Sequence, residues 1–340
     1  MMGRMLDFLS KDMAMDLGTA NTLIYVRGKG VVLDEPSVVA MDKNTKRVVA
    51  VGKEARSLQG RHGKHIQNIR PLRHGVINDF ETATYMIKTF LGKVFRRVPL
   101  SRPKLVVAVP TGITSVEKRA VIEASAIAGA GKIFLIEEPM AAAIGSGLPV
   151  EESGGYMVVD IGGGTTEVAI TSNFSVACSE TLRIAGDEAN EAICDYVRRN
   201  HQIIISETMA ETIKIKIGSA VPLKKNLEVK LRGKDMTTSM PKVVTITDAD
   251  IREAMKEPTM AVVEAVRRVL EKASPDLAGD VADNGIWLAG GGALLRGMRL
   301  LLNQVTGLEI NRAEDPLRTV IRGAGAATEN FDHYRDVFMN

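Results

Sequence analysis

Residues 157–170 read MVVDIGGGTTEVAI. An apolar run stops on Asp160, breaks into three glycines, presents two threonines and resumes as Val168-Ala169-Ile170. Taken alone this is a strand, a tight turn and a second strand, since Gly and Asp are ordinary turn formers. Residues 15–26, MDLGTANTLIYV, repeat the order: Asp16, Leu17, Gly18 and Thr22 match Asp160, Ile161, Gly162 and Thr166. Two strand-end carboxylates followed by glycine turns at one spacing point to two halves of the same local architecture.

The rest of the chain fits that frame. A length of 340 residues suits two domains, or one large α/β domain with insertions. With 45% apolar and 25% charged residues the composition is that of a soluble globular protein. A net charge of +3 and 4% aromatic residues give no footing for nucleic acid, which needs a basic face and stacking platforms. No uncharged apolar run of 18 residues predicts a membrane-spanning helix. The start, MMGRMLDFLSKD, lacks the pattern of a secretory signal. Cys178 and Cys194 have no metal-ligand spacing and read as reduced thiols, Cys194 on a helical face with Ala189, Ile193 and Val197.

Past the first hairpin, residues 30–55 read as short strands with turns at Glu35-Pro36 and Asp42 to Lys46. Helices and strands then alternate: TATYMIKTFLGKVF, KLVVAVP, SVEKRAVIEASAIAGA, KIFLIEEP, and a short helix MAAAIGSG ended by Gly145 and Gly147. Such alternation predicts crossover units and mainly parallel pairing. Residues 182–242 break the rhythm with two helices and a charged strand pair, and read as an insertion. The alternation resumes with residues 247–273 and GIWLAGGGALLRGMRLLLNQVTG, and a helix from Arg318 closes the chain.

Four turns after strand ends carry glycine or carboxylate: at Asp16, at Glu137-Glu138-Pro139, at Asp160 and at Gly290-Gly291-Gly292. In an α/β sheet such turns gather at the carboxyl ends of the strands, where ligands bind. Glycine hairpins let backbone N–H groups approach phosphate oxygens, and Thr19, Asn21, Thr165 and Thr166 would add side-chain donors. Asp16 and Asp160 supply the hard oxygens that suit Mg²⁺, which keeps several of its waters. Glu138 would orient or deprotonate an attacking water. The two hairpins thus read as the jaws of a phosphate clamp between the halves.

These hairpins, with LIEEPMAAAIGSGLP and LAGGGALLRGM, resemble the superfamily of actin, heat-shock chaperone ATPases and sugar kinases. Together with IRPLRHGVINDFE and MDLGTANTLIYVRGKGVVLDEPSVVA, the resemblance narrows to the MreB family of bacterial actin homologues, from about Asp12 to about Thr328. It implies an actin-like ATPase fold of two related α/β domains with a nucleotide cleft between them. The domains would be 1–140 plus 315–340, with an insertion at about 33–65, and 141–314, with an insertion at about 183–242.

It also implies Mg²⁺-ATP held by Asp16, Gly18, Thr19, Ala20 and Asn21 on one side. Asp160, Gly162, Gly163, Gly164, Thr165 and Thr166 would hold it on the other, with Glu138 and Thr165 handling the water. Gly290, Gly291, Gly292 and Ala293 would border the adenosine. Gly186, Asp187, Glu211, Thr212 and Lys214 would complete the site, Glu211 and Lys214 reaching ribose and base. From spacing alone Glu211 and Lys214 are an i,i+3 surface pair. Ala185 and Asn190 stand where the family pattern usually shows Gly and Asp, and Asp187 is placed to cap the next helix.

The activity implied is slow ATP hydrolysis coupled to homopolymer filaments that scaffold cell-wall synthesis and keep a rod cell shape. The place implied is the cytoplasm, peripheral on the inner membrane face, with cell-wall elongation membrane proteins as partners. A small-molecule kinase would need a further acid or base, and none can be assigned. A chaperone ATPase would need a substrate domain beyond Asn340. The five histidines form no HxxxH or HExxH spacing. Met2, Met5, Leu6 and Leu9 share a helical face among Arg4 and Lys11, so Met1–Leu9 reads as an anchor for anionic membrane, with Val98 and Leu100 of FRRVPLSRP as a second contact.

Overall fold

The computed structural model describes residues 12–58, 65–94 and 103–339. The segment Met1–Leu9, Val98, Leu100 and His62, singled out in the sequence, lie outside the described residues.

The repeat in the sequence is a repeat in space. The first sheet runs Gly30–Pro36, Asn21–Val26, Met13–Leu17, Leu105–Val109, Ile133–Glu137, with Phe338–Met339 on the far edge. The second runs Ser175–Leu182, Thr166–Ser172, Tyr156–Ile161, Ile286–Ala289, Ile310–Arg312. In each, an antiparallel meander of three strands is followed by two parallel strands reached through helices. The expectation of mainly parallel pairing is therefore corrected to mixed sheets. The glycine hairpins join neighbours directly, and a tight turn can join only antiparallel strands. Glu35 and Pro36 end a strand rather than form a turn.

Strand alternation decides which way the two aspartates face. Met13, Met15 and Leu17 enter one apolar cluster with the helix Phe80–Val94, whereas Ala14 enters another. In the second sheet Met157, Val159 and Ile161 pack outward with the helix Lys256–Lys272, and Val158 packs inward. Asp16 shares the parity of Ala14, and Asp160 that of Val158. Both carboxylates are thereby aimed at the layer between the sheets.

Two helices of small residues fill that layer. Glu138–Gly145 and Thr319–Glu329 cross closely, burying Ala141, Ala142, Ala143, Ala324 and Ala327 completely. A Cβ on Gly323 would overlap the carbonyl oxygen of Ala141. Glycine at 145 and 323, where a Cβ would meet backbone of the other helix, is what lets the two helices approach this closely.

The insertion forms its own core. Helices Gly186–His201, Glu207–Ile217 and Asp248–Ala254 pack Ile193, Val197, Ile213, Ile217 and Ile251 against Leu231 and Ile246 of the strands Glu228–Asp235 and Pro241–Thr247. Cys194 borders this core as a free thiol. A smaller unit, built on Val39–Asp42, Val48–Val51 and Ile66–Ile69 with the helix Lys53–Leu58, sits on the first half. Among the described residues no helix is long and apolar enough to cross a membrane.

Candidate nucleotide cleft

Between the halves lies a cleft of about 620 Å³. Its floor is made by the hairpins. Leu17 pairs Thr22 in one and Ile161 pairs Thr166 in the other, leaving Gly18-Thr19-Ala20-Asn21 and Gly162-Gly163-Gly164-Thr165 as equivalent tips. The first tip is braced by Ser37, whose N–H donates to Ala20 O at 3.0 Å and whose hydroxyl donates to Gly18 O at 2.6 Å. The second is closed by Gly162 N–H donating to Thr165 O at 2.9 Å.

The tips face each other at backbone distance. A Cβ on Gly163 would come within 2.7 Å of the Ala20 Cβ, and one on Gly164 within 2.8 Å of Thr19. Thr19 is further held by Gly75, whose N–H donates to its Oγ1 at 2.8 Å. The sequence argument for glycine was access of N–H groups to phosphate; the structure adds that the opposing jaw leaves no room for a side chain.

Four carboxyl groups converge beneath the tips. Asp160 and Glu138 are 7% exposed and Glu167 is 1% exposed, while Asp16 keeps a face open to the cleft. Burial, with the Asp160 and Asp34 charges, pushes Asp16 up from 3.8 to about 7. Burial alone raises Asp160 from 3.8 to about 7. Glu167 rises from 4.5 to about 7, mainly by burial. Glu138 is pushed well above 4.5 by burial and then by the Glu167, Asp16 and Asp160 charges.

The cleft's ion pairs go elsewhere. Arg56 binds Glu211 at 2.6 Å, Arg70 binds Asp187 at 2.9 Å, and His74 lies 3.6 Å from Glu188. The four central carboxylates thus have no cationic side chain among the described residues. Asp16, Glu138 and Asp160 face the cavity itself, and hard oxygens without a cationic partner suit a divalent cation. No three His, Cys, Asp or Glu groups among the described residues converge tightly enough to chelate an ion directly. Asp16 and Asp160 both line the cavity, and their hard oxygens suit a hydrated Mg²⁺.

Most residues singled out in the sequence come together here. Asp16, Gly18, Thr19, Ala20, Asn21, Glu138, Asp160, Gly162, Gly163, Gly164, Thr165, Gly186, Asp187, Glu211, Lys214, Gly290, Gly291 and Gly292 all line the cleft. Three do not. Thr166 is fully buried with its hydroxyl donating to Ile184 O at 2.8 Å, because strand alternation turns it away from the tip. Ala293 packs into the core outside the second sheet. Thr212 lies on the exposed face of its helix and donates to Thr208 O at 2.8 Å.

Two other expectations change. Glu211 and Lys214 are not an ion pair: Glu211 is held by Arg56, and Lys214 Nζ donates to Gly186 O at 2.7 Å. Burial lowers the Lys214 ammonium. Glu188, not Asp187, caps the helix by accepting from Ala185 N–H at 2.8 Å. Asn190, flagged for its departure, is buried in the cleft wall with its Oδ1 unpartnered.

The sequence reading missed Asp34, Arg56, Arg296 and Leu317, which line the cleft from distant segments. It also missed Glu167. A signal for Glu167 existed in the repeat itself: Asp16 faces Leu23 across its hairpin, and Asp160 faces Glu167. The second half alone places a carboxylate where the first is apolar.

The family model described as MreB/Mbl protein matches residues 10–336. The cell shape-determining protein MreB of Escherichia coli (strain K12) is 48% identical over 335 residues, covering 97% of this chain and 96% of that protein. The cell shape-determining protein Mbl of Bacillus cereus is 44% identical over 323 residues, covering 95% and 97%. Among solved structures, MreB5 of Spiroplasma citri bound to AMPPNP superposes with a TM-score of 0.89 at 33% identity, over 95% of this chain and 97% of that one. The MamK double helical filament, at 19% identity and a TM-score of 0.80 over 94% and 99%, shares the fold.

Proposed function

Because the chain belongs to the MreB/Mbl family of bacterial actins, we propose that it is a slow ATPase that assembles into filaments with Mg²⁺-ATP and scaffolds cell-wall synthesis at the inner face of the cytoplasmic membrane. The observation that carries this reading is the pair of opposed hairpins over four carboxyl groups that no cationic side chain among the described residues offsets. Two of its relatives are cell shape-determining proteins, and a structural neighbour, MreB5 of Spiroplasma citri, has been solved with AMPPNP and with ADP. We take residues 1–140 with 315–340 as one half and 141–314 as the other.

In this reading the backbone N–H groups of Gly18-Thr19-Ala20 and Gly162-Gly163-Gly164 bind the phosphate chain from opposite sides. Bound Mg²⁺ would neutralise charge on the phosphate oxygens. Asp16 and Asp160 would hold the ion through its waters, and both carboxyls would stay ionised beside it. Glu138, raised in basicity by burial and its acidic neighbours, orients the attacking water and accepts its proton. Thr165, 7% exposed at the tip, presents its hydroxyl to the same water. The apolar wall of Met255, Pro258, Leu294 and Leu317 takes the base, with Gly290-Gly291-Gly292 beside it. Lys214 and Glu211, also on the cleft wall, would contact the ribose.

Phosphate contacts from both halves bind best when the halves are closed, so occupancy of the cleft biases the whole shape. That coupling is what a filament with nucleotide-dependent lifetime requires. Membrane attachment is assigned to Met1–Leu9, with Val98 and Leu100 as a further contact. A short apolar segment binds anionic lipid weakly as one copy and firmly as many, so assembly and adhesion reinforce each other.

The test is sedimentation of the purified protein with ATP, with ADP or without nucleotide, each with and without anionic liposomes, alongside phosphate release. ATP-dependent pelleting, slow release and liposome binding lost on deletion of residues 1–9 are expected. Phosphoryl transfer to an added sugar or acid without polymer would overturn the reading in favour of a small-molecule kinase.

A further inference from the structure

Glu167 is a buried carboxylate behind the cleft that the chemistry above does not use. It lies on Thr166–Ser172 directly across from Asp160, so both side chains emerge on the face turned toward the first half. Its Oε2 accepts from Thr111 N–H at 3.3 Å and from Thr181 Oγ1 at 2.8 Å. The Thr181 hydroxyl also lies 3.1 Å from Thr111 O. Its Oε1 is buried with no donor among the described residues.

The partners belong to different halves. Thr181 and Glu167 are neighbours in the second sheet. Thr111 follows Leu105–Val109 of the first sheet, whose last residue, Val109, pairs in parallel with Glu137. Glu138 and Thr111 therefore leave the carboxyl ends of adjacent strands in one half, while Asp160 and Thr165 sit on the hairpin of the other. A water held by Glu138 and Thr165 is placed correctly only if these two edges keep a fixed offset.

Building on the ATPase reading, we infer that Glu167 is a positioning residue for hydrolysis, clamping the Asp160 hairpin to the strand ends that carry Glu138 through Thr111 and Thr181. It acts through Glu138 rather than on the nucleotide, since it does not line the cleft. Its charge is also the one that acts most strongly on Glu138. Nucleotide affinity, supplied by the hairpin tips, is left largely independent of the clamp. Small displacements of a positioned group lower turnover far more than binding.

Single-turnover phosphate release and equilibrium binding of a fluorescent ATP analogue with Mg²⁺ test this in the full chain. Glu167→Ala is expected to slow hydrolysis about tenfold to a hundredfold with affinity within about threefold. Thr181→Val, which removes one bond of the clamp and keeps the shape, is expected to slow it about fivefold. Thr181→Ser restores the hydroxyl and the parental rate. If Glu167→Ala does not fold, the Thr181 pair carries the test alone. Parental hydrolysis in Thr181→Val, equal losses of rate and affinity, or a Thr181→Ser variant as slow as Thr181→Val would overturn the inference. Hydrolysis absent from the parental protein would instead overturn the ATPase reading on which it rests.

Discussion

Replacing Asp160 with Asn should stabilise the nucleotide-free protein while destroying its response to Mg²⁺-ATP. The Asp160 carboxyl is raised from 3.8 to about 7 by burial. At about 1.4 kcal/mol per pH unit, holding it ionised in the folded state costs at most roughly 4 kcal/mol. Water in the cleft reduces this, and about 2 kcal/mol is a working figure, or about 4–8 °C for a half of this size. The sign follows from linkage: the folded acid binds its proton more tightly than the unfolded one. The penalty is therefore absent below about pH 4, grows through the interval between 3.8 and about 7, and is complete above it. Melting curves of parental protein and Asp160→Asn from pH 4.5 to 8.5 measure it directly. The Asn variant should gain at pH 8 and lose that gain at pH 4.5. Saturating Mg²⁺-ATP should raise the parental melting point, by about 2.7 kcal/mol of stability at a hundredfold excess over Kd, and barely move the variant. A variant less stable than the parent at pH 8, or a difference independent of pH, would refute the account of these carboxylates.

Glu138→Ala should keep Mg²⁺-ATP binding and lower the hydrolysis rate by on the order of 10²–10⁴, read from phosphate release at saturating ATP. Arg56→Glu places like charges opposite Glu211 at the cleft mouth and should speed release of a fluorescent nucleotide several-fold, with Glu211→Arg in the same chain restoring the parental rate. Both side chains are partly exposed, so the simple loss in Arg56→Ala should change release by no more than about 1 kcal/mol, and less at high salt. Gly323→Ala inserts a methyl where Ala141 O already stands, and should destabilise the fold by about 2–4 kcal/mol in thermal melts.

The duplicated hairpins were legible because each is local: seven residues fix the strand end, the turn and the carboxylate. Strand parity, also local, then faces Asp16 and Asp160 inward. The crossing of the two small-residue helices was not legible as a contact, since Ala141 and Gly323 meet only after the chain has passed through the whole second half. For the same reason the contact of Arg56 with Glu211, 155 residues apart, is invisible in the sequence, where spacing offers Glu211 only Lys214. Thr166 and Ala293 failed for a different cause. Both sit inside motifs whose neighbours line the cleft, and membership in a motif does not say which face a side chain takes. Glu167 shows the converse, a carboxylate visible in the quoted stretch whose partners Thr111 and Thr181 only the fold supplies.

The central claim is that nucleotide bound between the two hairpins drives assembly. Electron cryomicroscopy of the full chain incubated with Mg²⁺ and AMPPNP tests it most directly. The account predicts filaments whose subunits hold the triphosphate between Gly18-Thr19-Ala20 and Gly162-Gly163-Gly164, with the ion's waters against Asp16 and Asp160. Filaments with an empty cleft, or monomers with nucleotide seated away from these hairpins, would contradict it.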